Sequence, residues 1–138
     1  MENKKPGRPR VTGIDMTVDL NAEALEVLDQ GAATLAGKLG NKPNRAAWIR
    51  GLIDFVAVSD LAATMSASLL AERWPAQWFQ AKPVLKVTVR IEERQRMWLR
   101  QFECYVQSLD WTREIYRRDA VELLIAAHGP AFNKSMRG

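Results

Sequence analysis

Six side chains in two short stretches carry the chemistry of this chain. Lys86, Thr88 and Arg90 alternate with Val87, Val89 and Ile91, while Asp15, Thr17 and Asp19 alternate with Ile14, Met16, Val18 and Leu20. A period of two puts the polar members of each set on one face of a β-strand and the aliphatic members on the other. Lysine, threonine and arginine on such a face are donors suited to guanine edges and phosphates, and a β-ribbon is narrow enough to enter a major groove. The two aspartates differ. They can only accept, for example from a cytosine amino group, and they repel phosphate.

The elements that must position these residues recur. Thr17 to Leu20, reading Thr-Val-Asp-Leu, aligns with Thr88 to Ile91, reading Thr-Val-Arg-Ile, about seventy residues later. Each copy leads into helical sequence, a turn and a second helix, so the chain reads as two divergent repeats of strand, helix, helix. The organisation predicted is a basic arm without fixed structure at 1–12, a first repeat at 13–58, a connecting helix and linker at 59–83, a second repeat at 84–129 and a tail at 130–138. The fold class is mainly α with a short two-stranded antiparallel β-ribbon.

In the first repeat Asn21 is placed to cap a helix to about Ala36, with Ala24, Leu25, Leu28, Ala32 and Leu35 as its core face. Gly37 and Gly40 are expected to break it, and Asn41, Lys42 and Pro43 to form the turn. Asn44 then caps the next helix, whose inner face carries Ile49, Leu52, Ile53 and Val56. The free N–H groups at that helix start suit a phosphate, with Lys42 and Arg45 adding charge. Ser59 and Asp60 resemble a fresh cap for a connecting helix to about Trp74, ended by Pro75.

In the second repeat a helix from Glu92 to about Ser108 places Met97, Trp98, Phe102, Tyr105, Val106 and Leu109 inward. A last helix from about Trp111 to Ala127 is capped by Asp110 or Thr112, has Ile115, Tyr116, Ala120, Leu123 and Leu124 as core candidates, and is ended by Gly129 and Pro130. His128 then sits at the negative end of that helix.

Charge and composition narrow the function. The net charge of +4 is unevenly spread: residues 1–10 carry four cations and one anion, the first repeat is net acidic, and the second repeat and tail are net basic. Lys4, Lys5, Arg8 and Arg10 surround Pro6, Gly7 and Pro9, and Gly7 to Arg10 resembles an AT-hook, whose extended core lies in a narrow minor groove. The arm is expected on the minor groove or the phosphate backbone. One cysteine, Cys104, read as a core residue, excludes an intrachain disulfide and fits a reducing cytoplasm. No apolar run is long enough to span a membrane. One histidine, one cysteine, no cluster of metal ligands and no glycine-rich turn after a strand argue against an enzyme, a metal site or a cofactor.

The chain resembles the ribbon-helix-helix (Arc/MetJ-like) DNA-binding family. The resemblance rests on the alternating strands running straight into a helix (Thr17 to Glu23, Thr88 to Glu93), on Gly40 to Arg50 as turn and second-helix start, and on Glu114 to Tyr116 in the second copy. It implies antiparallel strands inserted into the major groove of double-stranded DNA, with base-reading positions at Asp15, Thr17 and Asp19 and at Lys86, Thr88 and Arg90. Tandem chains of this kind are similar to TraY-type relaxosome accessory proteins. The implied roles are therefore a transcriptional repressor or a plasmid-transfer accessory factor in a bacterial cytoplasm, with self-association on DNA as a further expectation.

Charge also predicts which strands pair. An antiparallel ribbon centred on Thr17 and Thr88 sets Asp15 opposite Arg90 and Asp19 opposite Lys86, with each pair contributing roughly 0.2–1 kcal/mol. Pairing either strand with its own copy sets like charges together. An intrachain pseudodimer is expected, with an ordinary or domain-swapped homodimer as the competing architecture. The acidic first strand also leaves open a protein-binding module, antitoxin-like or adaptor, that docks a partner through 59–83.

Overall fold

The computed structural model describes residues 13–58, 83–109, 114 and 116–137. These form two strands and four helices in the order β1 (Ile14–Leu20), α1 (Ala22–Leu39), α2 (Arg45–Ala57), β2 (Leu85–Ile91), α3 (Glu93–Leu109) and α4 (Arg117–Arg137). The chain is mainly helical with a two-stranded antiparallel sheet. The basic arm at 1–12, the connecting segment at 59–82, the alternative caps Asp110 and Thr112, and Ile115 lie outside the described residues.

The ribbon forms because one face of each strand is aliphatic. Met16, Val18 and Leu20 of β1 and Val87, Val89 and Ile91 of β2 are buried in the main core, with Leu85 packed at its edge. Ile14, expected inward, is 41% exposed at the end of the ribbon, beside its buried partner Ile91. The register pairs Thr17 with Thr88, Asp15 with Arg90 and Asp19 with Lys86. A slip of one residue would turn every aliphatic side chain to water.

Helix α1 starts where Asn21 accepts a hydrogen bond from the Ala24 N–H at 2.8 Å. It runs past Gly37 to Leu39 and stops at Gly40, whose φ of 69° is a conformation that favours glycine. Gly37, expected to help break the helix, is simply a solvent-facing helical residue. Asn44 caps α2 by accepting from the Ala47 N–H at 3.0 Å. Its inner face buries Ile49, Leu52, Ile53 and Val56 as the spacing predicts, and Trp48 with them.

The second half departs further from expectation. Among the described side chains of α3 the buried ones are Gln95, Leu99, Phe102 and Val106, with Trp98 and Tyr105 at the core margin, while Met97 is 54% exposed. The apolar stripe is displaced because Gln95 is taken inside. It accepts from the Glu92 N–H at 2.9 Å and donates to Asp54 at 3.1 Å, tying α3 to α2. Cys104, read as core, is exposed on the outer side of α3.

Helix α4 begins at Arg117 and continues through Gly129 and Pro130 to Arg137. The stop expected at Gly129 and Pro130 is not taken, and residues 130–137, expected as a tail, are helical. Pro130 is exposed and removes one helical N–H, but the two turns beyond it bury Phe132, Asn133 and Met136. Tertiary packing outweighs the local break. Asn133 accepts from the Trp48 Nε1–H at 2.8 Å and donates to the Val27 carbonyl at 3.0 Å, joining α4 to α2 and α1 in one buried network. A Cβ on Gly31 would lie 1.9 Å from Trp48 Nε1 and 2.2 Å from Asn133 Oδ1, so glycine there is what lets α1 approach this network. His128 lies inside the helix, not at its end, and Tyr116, expected in the core, precedes α4 and is 49% exposed.

Candidate nucleic-acid interface

With the aliphatic face of the ribbon buried, the opposite face carries Asp15, Thr17, Asp19, Lys86, Thr88 and Arg90. Thr17, Thr88, Asp15 and Lys86 are exposed; Asp19 and Arg90 are half-buried. The two threonine hydroxyls meet at 3.1 Å, at the centre of the register. All six sequence-predicted base-reading residues thus lie on one open strip.

The two ends of the strip differ. At one end Arg90 Nη1 lies 3.1 Å from Asp15 Oδ1, the cross-strand pair anticipated from charge. This pair is solvent-exposed and contributes little stability by itself. At the other end Asp19 and Lys86 stand opposite in register, yet Asp19 Oδ2 pairs with Arg118 Nη1 at 3.7 Å. Lys86 has no ion pair among the described residues. Sequence reasoning missed Arg118, because nothing in the spacing says that the start of α4 reaches β1.

Arg118 also has neighbours around the start of its own helix. Its guanidinium lies 5.5 Å from the centre of the Tyr116 ring and 4.0 Å from Asp119 Oδ1. Asp119 is itself fixed by accepting the Tyr116 N–H at 2.9 Å, which satisfies a free donor at the helix start. Close by, Glu122 is buried on α4. Burial pushes its carboxyl up to about 7, Asp119 and Asp19 push in the same direction, and the Asn21 N–H and Arg118 oppose them.

The start of α2 flanks the ribbon. An open hollow of about 520 Å³ is lined by Asn44, Arg45 and Pro43 on one side and by Val87 and Thr88 of β2 on the other. Lys42 and Asn44 are exposed. Arg45 is held by Asp29 of α1 through two hydrogen bonds, 2.8 and 3.1 Å, and this carboxylate raises the Arg45 pKa further above its ordinary value. The charge that Arg45 would offer an anion is therefore partly met within the protein. Deeper in, Arg50 of α2 donates to the Arg90 carbonyl at 3.0 Å and anchors the helix to β2. Lys4, Lys5, Arg8 and Arg10 of the arm lie outside the described residues.

The arrangement can present donors and acceptors to a grooved, polyanionic surface. Among the described residues no group of three or more His, Cys, Asp or Glu is placed to hold a metal ion, and no helix is long and apolar enough to cross a membrane. Compared with family models, with curated proteins and with solved structures, the chain matches none.

Proposed function

We propose that the chain is a tandem ribbon-helix-helix protein, a pseudodimer within one polypeptide, that binds double-stranded DNA by laying its ribbon in the major groove. The observation that carries this reading is the central register: two remote strands pair symmetrically about Thr17 and Thr88 and leave six polar positions on one open face. The start of α2, with Asn44 beside the ribbon and Lys42 exposed in the preceding turn, contacts phosphate, and the basic arm adds contacts on the minor groove or backbone. Its cellular role is that of a transcriptional repressor or a plasmid-transfer accessory factor.

Selection of bound duplexes from a random library tests this reading. One enriched motif is the expected result, with affinity falling as salt rises by roughly −0.9 in log–log slope per phosphate neutralised. Equal capture of all sequences sinks specific reading and leaves a non-specific architectural binder.

A second reading is a protein-binding module of the same fold. The observation favouring it is that both β1 aspartates are ion-paired, Asp15 to Arg90 and Asp19 to Arg118, which withdraws cations from DNA. Absence of DNA capture at low salt is the outcome that selects it.

A further inference from the structure

The pseudo-twofold arrangement of the ribbon makes its asymmetry informative. Helix α2 packs on β2 and α4 packs on β1. Each sends an arginine to the strand it covers, but to different atoms. Arg50 of α2 bonds a backbone carbonyl, that of Arg90, and leaves the Arg90 side chain to meet Asp15 at 3.1 Å. Arg118 of α4 goes to a side chain, the Asp19 carboxylate, at 3.7 Å. Asp19 is the acid that would otherwise neutralise Lys86 across the ribbon.

We infer that Arg118 is a positioning residue that gives the ribbon a polarity: by drawing Asp19 toward α4 it frees Lys86 to read a guanine, so the preferred DNA site is non-palindromic and specified mainly at the Lys86 end. This rests on the DNA-binding reading above and goes beyond it. The chemistry is direct. A lysine ammonium in the major groove donates to guanine O6 and N7, whereas a guanidinium already bonded to a carboxylate has fewer donors left to offer. Arg118 also lies near the Tyr116 ring and 4.0 Å from Asp119, contacts that restrict its movement away from Asp19. A more mobile cation there would lose more side-chain entropy in making the pair.

The test is library selection on the intact chain, its Lys86→Ala, Arg118→Ala and Arg90→Ala variants, and the double variant Asp19→Asn with Arg118→Ala. The wild-type chain should enrich a non-palindromic motif. Lys86→Ala should lower preference at one G·C pair by about tenfold to a hundredfold, with Arg90→Ala changing the motif much less. Arg118→Ala, by returning Asp19 to Lys86, should weaken the same preference by about tenfold, and the double variant should restore it. A purely structural role for Arg118 would instead lower the melting temperature with no change in motif. A palindromic motif, or a motif indifferent to Arg118, overturns the inference while DNA reading stands. If no motif is enriched by any variant, DNA reading and the inference fall together.

Discussion

The two strands of this protein are nearly alike, and the second helices that follow them are not. β1 and β2 have seven residues each, share the same central pattern of buried and exposed positions, and meet in a symmetric register. By contrast, α2 ends after 13 residues while α4 runs for 21, through a proline, and carries Asn133 into the core beneath Trp48. The difference teaches which parts of the molecule constrain one another. A ribbon paired about a central axis constrains both partners at once, since any shift in one exposes the aliphatic face of both. A helix end is constrained only by what it lies against. The far end of α4 lies along α1, and its length beyond that of α2 is used in this packing.

The sharpest way to break that comparison is to shorten α4. Truncation after Gly129 removes Phe132 and Met136 from the core and leaves Trp48 Nε1–H without Asn133. Side-chain losses of this kind cost about 2–5 kcal/mol each, comparable in sum to the stability of a whole domain. The truncated chain should show no cooperative thermal transition by circular dichroism; a melting curve like that of the full chain would mean that residues 130–137 are dispensable.

A smaller effect should follow from pH, because Glu122 belongs to α4 alone. Its folded-state pKa of about 7 lies above the ordinary 4.5, so the folded state holds the proton more tightly than the unfolded one. The stabilisation is complete below about 4.5 and is lost as pH rises through about 7. Asp54 works in the opposite sense: burial pushes its carboxyl up, but hydrogen bonds from Arg94 and Gln95 outweigh burial and hold it below 3.8, so its contribution fades as the solution becomes strongly acidic. Stability should therefore peak in mild acid. Replacing Glu122 with Gln should flatten the decline toward pH 8 by about 1–2 kcal/mol, after allowance for solvent screening. Parallel melting curves at pH 5 and pH 8 for both proteins measure it, and equal slopes would show that the carboxyl does not stay buried.

The smallest expected difference separates the two asparagine caps. Asn21→Ala and Asn44→Ala each remove a hydrogen bond to a helix start, worth about 1 kcal/mol. Asn21 is buried and its N–H also bonds Glu122, whereas Asn44 is exposed. The Asn21 variant should lose more in urea denaturation, and an equal loss would indicate that burial adds nothing to the cap.

Legibility followed the range of the forces involved. The strands, Gly40 as a stop, and the caps at Asn21 and Asn44 could be read because each depends on residues within a few positions. The register was readable over a long separation only because charge and hydrophobic alternation both selected it. Pro130 misled because a helix break is a local rule, and here packing of Phe132, Asn133 and Met136 overrode it. Met97, Ile14 and Cys104 misled for a related reason: helical or strand spacing says which residues share a face, but not how far a neighbouring element covers that face.

The sequence alone determined two alternating strands, the six positions on their polar face and the opposite charges that favour pairing one with the other, but it left open whether that pairing lies within one chain or between two copies. Only the tertiary structure decided that Asp19 turns to Arg118 and that Arg45 is held by Asp29. Ion pairing depends on which charged groups come within a few ångströms, and the packing of α4 on β1 and of α1 beside α2 sets that distance.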